Sequence, residues 1–379
     1  MPNSCRLPIT CATTGDNYVA EVQIGSAAVP ASLIVDTGSS ATAVNASLYD
    51  PSQDAQAVTG ELAQNLTYLS GTMLGAVVQT SLTAAPPSGA PTTFPGTNVA
   101  VNYAPGANCF GAAQGILGLA YKPGDAAFTM PGNSWQNKYP KGQFPASSDQ
   151  LLDPFLDQAA AAGALERAFA IAVKRSLASQ ADPRANSGIL VLGADAADCA
   201  DLYQAPLAFT AIIAGNHYNT SLVTVQVGGQ PAIPVPTPPS WSSAVSNSMI
   251  DSGTSSLTLA QTLYTQVLAS FNAVNPAYGT LLQSNAANSG ANCDQTLIDL
   301  ASWPSLTFAL QGGAAVTVAP GDYWQFDAAG AGRAIAAMCG DGGQLGGLSI
   351  LGLPLFAGNF VLFDRTGGEP GRIGFARLS

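Results

Sequence analysis

Ala31–Ser40 reads ASLIVDTGSS, and Asn247–Ser256 reads NSMIDSGTSS. Each is a short apolar run ending in an aspartate, followed by Thr or Ser, then Gly, then hydroxyl residues. Each is answered further along by two apolar residues and a glycine: Ile116-Leu117-Gly118 after the first, Ile350-Leu351-Gly352 after the second. The same order of motifs at unequal spacing points to two duplicated lobes with different insertions, not to a short-period solenoid. The length, 379 residues, also exceeds a common single domain about two- to threefold. The expected lobes are 1–195, carrying Asp36, and 196–379, carrying Asp251.

Between these markers the pattern is mostly strand. Tyr18–Ile24 and Leu222–Val227 alternate apolar and polar residues, as half-buried strands do. Many other short runs are rich in Val, Ile, Thr and Phe, with Gly, Pro and Asn between them. Pro154–Leu165 reads as a helix, with Asp153 placed to cap it and Pro154 in its first turn, and Ala260–Val274 reads as another. Pro231–Pro239 holds five prolines and should form a loop or irregular edge, and Pro123–Ser148 reads as a surface insertion. The expected class is all-β, with few short helices and a central cleft.

Composition narrows the function. Only 9% of residues are charged, against roughly 25% in an average soluble domain, and 23 acidic residues face 12 basic ones for a net charge of −11. No cluster of Lys and Arg offers a phosphate backbone a grip, so nucleic acid is excluded as a partner. In strong acid the carboxylates neutralise and the positive charge is capped near the small basic count, which limits self-repulsion and suits survival at low pH. A compositional leaning towards Ala and Gly accounts for the same numbers equally well. No uncharged apolar run reaches the roughly 18 residues of a membrane span; Phe155–Val173 is interrupted by Asp157, Glu166 and Arg167. Six cysteines without a C-x-x-C pair look more like disulfides than a metal or redox site. That places the chain outside the cytoplasm, secreted or periplasmic, with any leader removed. The start at Met1 leaves a cytoplasmic origin open.

The two aspartates carry the chemistry. Carboxylates brought face to face cannot easily both ionise, so one keeps a proton and the pair shares a water. The anionic member takes a proton from that water, while the protonated member bonds to a substrate carbonyl and makes it more electrophilic. Water then attacks a peptide bond with no covalent intermediate. Gly38 and Gly253 allow the sharp turn that leaves backbone N–H groups free for the carboxylates. Thr37 and Ser252 supply hydroxyls able to bond across the lobes. No metal and no organic cofactor is needed.

On these motifs the chain resembles the pepsin-like aspartic proteases, the two-lobed kind with both half-sites in one polypeptide. The likeness runs from about Tyr18 to Ala376. It rests on VDTGSS, on the stretch LTYLSGTMLG at Leu66–Gly75, on GILGLAY at Gly115–Tyr121, on IDSGTSS and on the closing SILGLPLFAGNFVLFDR. The resemblance implies a bilobal pepsin-like fold and a monomeric endopeptidase that binds an extended polypeptide, with apolar residues at the cleaved bond. It implies Asp36 and Asp251 as the catalytic pair, Thr37 and Ser252 as interlocking hydroxyls, and Ser39 and Thr254 as outer partners. Tyr68 would be the tyrosine of a flap closing over substrate. Cys293 and Cys339 would form a disulfide, while Cys5, Cys11, Cys109 and Cys199 have no assigned pairing.

The chain departs from the family in three places. Ala43 stands where a Trp often bonds the flap tyrosine, and Leu69 stands where a Gly is usual. Leu353 stands where digestive members often carry Asp, which predicts a higher pH optimum than theirs. A rival reading is a non-catalytic binding or inhibitor protein on the same fold; the presence of both aspartates with their hydroxyl neighbours favours the enzyme. His217, the only histidine, lacks the G-x-S-x-G elbow of a serine triad, so an exposed or hydrogen-bonded structural role is expected. The Gly340–Gly347 loop lacks the Lys-Ser/Thr of a phosphate cradle.

Overall fold

The computed structural model describes residues 4–11, 17–68, 71–103, 109–130, 144, 145, 147–174, 187–236 and 246–379. Leu69 lies outside them, as does much of Pro123–Ser148 and the end of Pro231–Pro239. The chain has the all-β, bilobal pepsin-like architecture.

Each half is organised around its apolar-apolar-glycine triplet. In the first, the strand Val29–Asp36 runs parallel to Gly115–Gly118, with Asp36 opposite Gly118. On the other side of Gly115–Gly118 lies Ala43–Asn45, antiparallel to it and parallel to Thr92–Asn102. The second half repeats the arrangement. Ser248–Ile250 runs parallel to Ser349–Leu351, while Leu257–Leu259 lies antiparallel on the far side and parallel to Met338–Gly340. These triplet strands are buried along their whole length, which explains their continuous apolar runs where exposed strands alternate. The triplet glycines have a steric reason. The chain leaving Asp36 crosses directly over Gly118, where a Cβ would lie 2.5 Å from the Ala41 carbonyl oxygen. Gly352 meets the Thr254 and Ser256 carbonyls in the same way. Any side chain here would push the aspartate loop out of place.

Tyr18–Ile24 pairs with Val29–Asp36, and Leu222–Val227 forms a strand over the residues its alternation marked. Part of the proline-rich segment, Ile233–Pro234, pairs as an edge strand beside Leu222–Val227. The halves also share a sheet. Ala168–Val173 pairs with Ser187–Leu192 on one side and with Asn359–Asp364 on the other, and Asn359–Asp364 continues through Arg372–Leu378 to Tyr203–Ala211. One hydrophobic cluster runs through both halves, joining Val35 and Leu117 to Ile250, Leu351 and Phe363.

Three expectations need correction. The helix expected over Pro154–Leu165 spans only Phe155–Ala161, and Asp153 does not cap it. Asp153 pairs instead with Lys122 Nζ at 2.7 Å, a charged partner that outcompetes the capping role. The second helix, Gln261–Val274, fits its expectation within one residue and is followed by an unforeseen helix, Tyr278–Ser284. The Cys293–Cys339 disulfide is not formed; both cysteines are free thiols. The two sulfurs belong to different sheets. Cys293, in the strand Cys293–Asp294 beside Arg333–Ala336, lies 3.8 Å from the Ala334 carbonyl oxygen. Cys339, beside Leu257–Leu259, lies 3.7 Å from Thr258 Oγ1. Without that bridge, the cysteines no longer point to an oxidising compartment.

Candidate active site

Asp36 ends the strand Val29–Asp36, and Asp251 follows Ser248–Ile250 directly. The two turns that begin there lock into each other. The Thr37 N–H donates to Ser252 Oγ at 3.1 Å, and the Ser252 N–H donates to Thr37 Oγ1 at 2.9 Å. Each hydroxyl then donates beneath the opposite aspartate, Thr37 to the Ile250 carbonyl at 3.0 Å and Ser252 to the Val35 carbonyl at 2.7 Å. All four bonds are buried. With no water to compete, they fix the relative height and rotation of the two turns.

The carboxylates are held alike. Asp36 Oδ1 accepts from the Gly38 N–H at 2.6 Å and Oδ2 from the Ser39 hydroxyl at 2.5 Å. Asp251 Oδ1 accepts from the Gly253 N–H at 2.8 Å and Oδ2 from the Thr254 hydroxyl at 2.7 Å. The turn glycines reveal how close the halves come. A Cβ on Gly38 would lie 2.6 Å from Asp251 Oδ1, and one on Gly253 would run into the Asp36 carboxylate. Asp36 is 7% exposed and Asp251 6%. Burial, and after it the charge of Asp251, raises the pKa of Asp36 far above the ordinary carboxylate range.

The sequence-marked residues Asp36, Gly38, Ser39, Tyr68, Asp251, Gly253 and Thr254 all line one cleft of about 360 Å³. Thr37 and Ser252 lie beneath its floor. Tyr68 ends the first strand of a long hairpin, Val58–Tyr68 and Gly71–Ala84. Its hydroxyl is buried and approaches Ser39 without a well-formed hydrogen bond. Ala43, where the resemblance looks for a Trp, is fully buried and offers no donor. Burial first, and then the Asp36 charge, push the Tyr68 phenol upward. An apolar wall of Val19, Ile34, Phe110 and Ile116 completes this side of the cleft.

Asn17 and His217 line the cleft without having been marked as site residues. Asn17 Nδ2 donates to the Gly253 carbonyl at 2.8 Å, tying the start of the first half to the second turn. His217 is neither exposed nor hydrogen-bonded through Nδ1. It is half-buried in the cleft, with Nδ1 buried and unpartnered. Burial lowers its pKa from the ordinary imidazole value, and the charge of Asp251 opposes that shift. No local pattern marked it; its place is set by the next residue, Tyr218, whose hydroxyl bonds the Leu119 carbonyl at 2.7 Å. The Gly340–Gly347 loop wraps the Asp341 carboxylate, which accepts the Gly343 and Leu345 N–H groups at 2.9 Å each.

No curated protein matches the chain in sequence. The model of one family, described as eukaryotic aspartyl protease, matches residues 17–378, nearly the whole chain and both aspartate turns. With that span matched, the chain is a member of the eukaryotic aspartyl protease family.

Proposed function

We propose that this family member is an active endopeptidase whose catalytic groups are Asp36 and Asp251. The observation that carries the reading is the reciprocal bonding of Thr37 and Ser252, which sets two buried carboxylates face to face in one cleft. A water held between them loses a proton to the ionised carboxylate as it attacks the peptide carbonyl. The protonated carboxyl donates to the carbonyl oxygen. Collapse of the tetrahedral intermediate returns a proton to the departing amine and restores the shared-proton pair.

The substrate is an extended polypeptide, its backbone bonded between the lobes and the Tyr68 hairpin. The wall of Val19, Ile34, Phe110 and Ile116 suits an apolar side chain beside the cleaved bond. The enzyme works as a monomer, without cofactor, nucleic acid or membrane. It acts at acidic pH, a reading that the low basic count supports. Leu353 is buried with its N–H on the Thr254 carbonyl at 2.8 Å, so no carboxylate adds to the field there; the pH optimum lies above that of relatives with Asp at this position.

The test is digestion of an unfolded protein at about pH 3 to 5, with and without a statine-type inhibitor. Inhibitor-sensitive cleavage supports the enzyme. A pure, folded chain that cleaves nothing points to the non-catalytic binding protein instead.

A further inference from the structure

We propose that His217 is a specificity-determining residue that receives an acidic side chain of the substrate on the Asp251 side of the cleft. The inference rests on the peptidase reading above. Among the described residues lining the cleft there are two aspartates and neither Lys nor Arg. An incoming carboxylate is therefore repelled everywhere except at the one group able to become cationic. The other titratable groups lining the cleft, Asp36, Asp251, Tyr68 and Cys109, supply no positive charge.

The imidazole is available for the task. It lines the cleft half-buried, with Nδ1 buried and without a hydrogen-bond partner, so Nε2 is the nitrogen left to meet a ligand. Asp251 is near enough to act on the ring by its charge, yet both its oxygens are engaged, by the Gly253 N–H and the Thr254 hydroxyl. The ring is also held in position. The His217 carbonyl accepts the Asn219 N–H at 2.8 Å, and fully buried Tyr218 anchors the next residue.

Two titrations bound the effect. A substrate glutamate is ionised above about pH 4.3, and an ordinary imidazole is cationic below about pH 6.5. Burial lowers the second limit for His217. Preference for Glu over Gln is thus greatest inside this window. It fades below as the substrate carboxyl neutralises and above as the imidazole does.

The experiment compares kcat/KM for paired peptides carrying Glu or Gln at each position flanking the cleaved bond, from about pH 3 to 7, with the parent enzyme and His217→Gln. The readout is the Glu-to-Gln ratio. At one position the parent ratio should peak inside the window at about tenfold, and H217Q should flatten it to about one. An unchanged ratio in H217Q, or no position with a pH-dependent ratio in the parent, overturns the proposal. A second measurement leaves the histidine intact and needs no hydrolysis. In Asp36→Asn, the imidazole resonances of this single histidine are titrated with Glu and Gln peptides bound. A higher His217 pKa with the Glu peptide supports the assignment, and equal values overturn it. If the parent cleaves neither peptide, the peptidase reading fails on its own, while the resonance titration still decides the charge selection.

Discussion

Thr37 and Ser252 each donate a backbone N–H to the other's hydroxyl, so the two halves of the site are bonded through the residues next to the aspartates themselves. Thr37→Val removes the acceptor for the Ser252 N–H and the donor for the Ile250 carbonyl, leaving both buried and unpaired. The expected loss is about 1–3 kcal/mol of stability, measured by denaturant unfolding. kcat should fall by more than KM rises, because the carboxylates lose their mutual register.

Replacing either carboxylate by its amide should abolish turnover while the fold persists. Asp36→Asn and Asp251→Asn keep the size of the side chain but cannot share a proton in the same way. Hydrolysis should drop at least about a thousandfold, read against unchanged circular dichroism. Retained hydrolysis by either variant would remove the dyad from the mechanism.

Tyr68 should matter for its ring more than its oxygen. Because the hydroxyl makes no well-formed hydrogen bond and Ala43 provides none, Tyr68→Phe should keep kcat/KM within about twofold. Tyr68→Ala opens the cleft to water and should cost about tenfold or more. A large defect in the Phe variant would show that the hydroxyl finds a partner when substrate is bound.

Stability should decline as pH rises from about 4 to 7. Asp125 is 2% exposed. Burial raises its pKa to about 7; the 2.5 Å bond from Gln64 opposes the shift and the Asp153 charge adds to it. Asp36 is raised as well. An acid with a raised folded pKa binds its proton more tightly when folded. It imposes no penalty below the unfolded value near 3.9, and a growing one as pH climbs towards the folded value. Groups held low, such as Asp54 with its bonds from Ser26, Thr80, Tyr49 and Gln56, act at the acid end instead, losing their contribution as pH falls below about 4. His217 opposes the trend, but it is a single group. The melting temperature should therefore fall towards neutrality, and Asp125→Asn should remove a cost on the order of a few kcal/mol at pH 7. A flat profile from pH 4 to 7 would contradict the buried-acid account.

The thiols give a direct check. Alkylated in denaturant without reductant, Cys293 and Cys339 should each take up one alkyl group, read by peptide mass. Reductant should leave the melting temperature unchanged. Unmodified Cys293 and Cys339 would mean that the disulfide forms.

The site was legible because its geometry is local. Asp36-Thr37-Gly38 and Asp251-Ser252-Gly253 carry their turn, their donors and their cross-links within three residues, and Gly118 and Gly352 mark the strands beneath. Tyr18–Ile24 and Leu222–Val227 were legible for a similar reason, since one wet face and one dry face impose alternation. What escaped was decided by distant partners. Asp153 has the chemistry of a cap, but Lys122, far away in sequence, takes it. His217 carries no motif around it, and the residue beside it, Tyr218, is anchored by the distant Leu119 carbonyl. The Cys293–Cys339 expectation came from resemblance alone and had no spacing rule to test it.

Asn359–Asp364 fills the open side of Ala168–Val173, nearly two hundred positions earlier. On a ribosome, the first lobe emerges with that flank of its sheet bare, and its aspartate waits for a counterpart not yet translated. The cleft can close into a working shape only after the final strands emerge from the exit tunnel. A message truncated before residue 359 would yield a fragment with that sheet edge bare, sticky and left for quality control to remove.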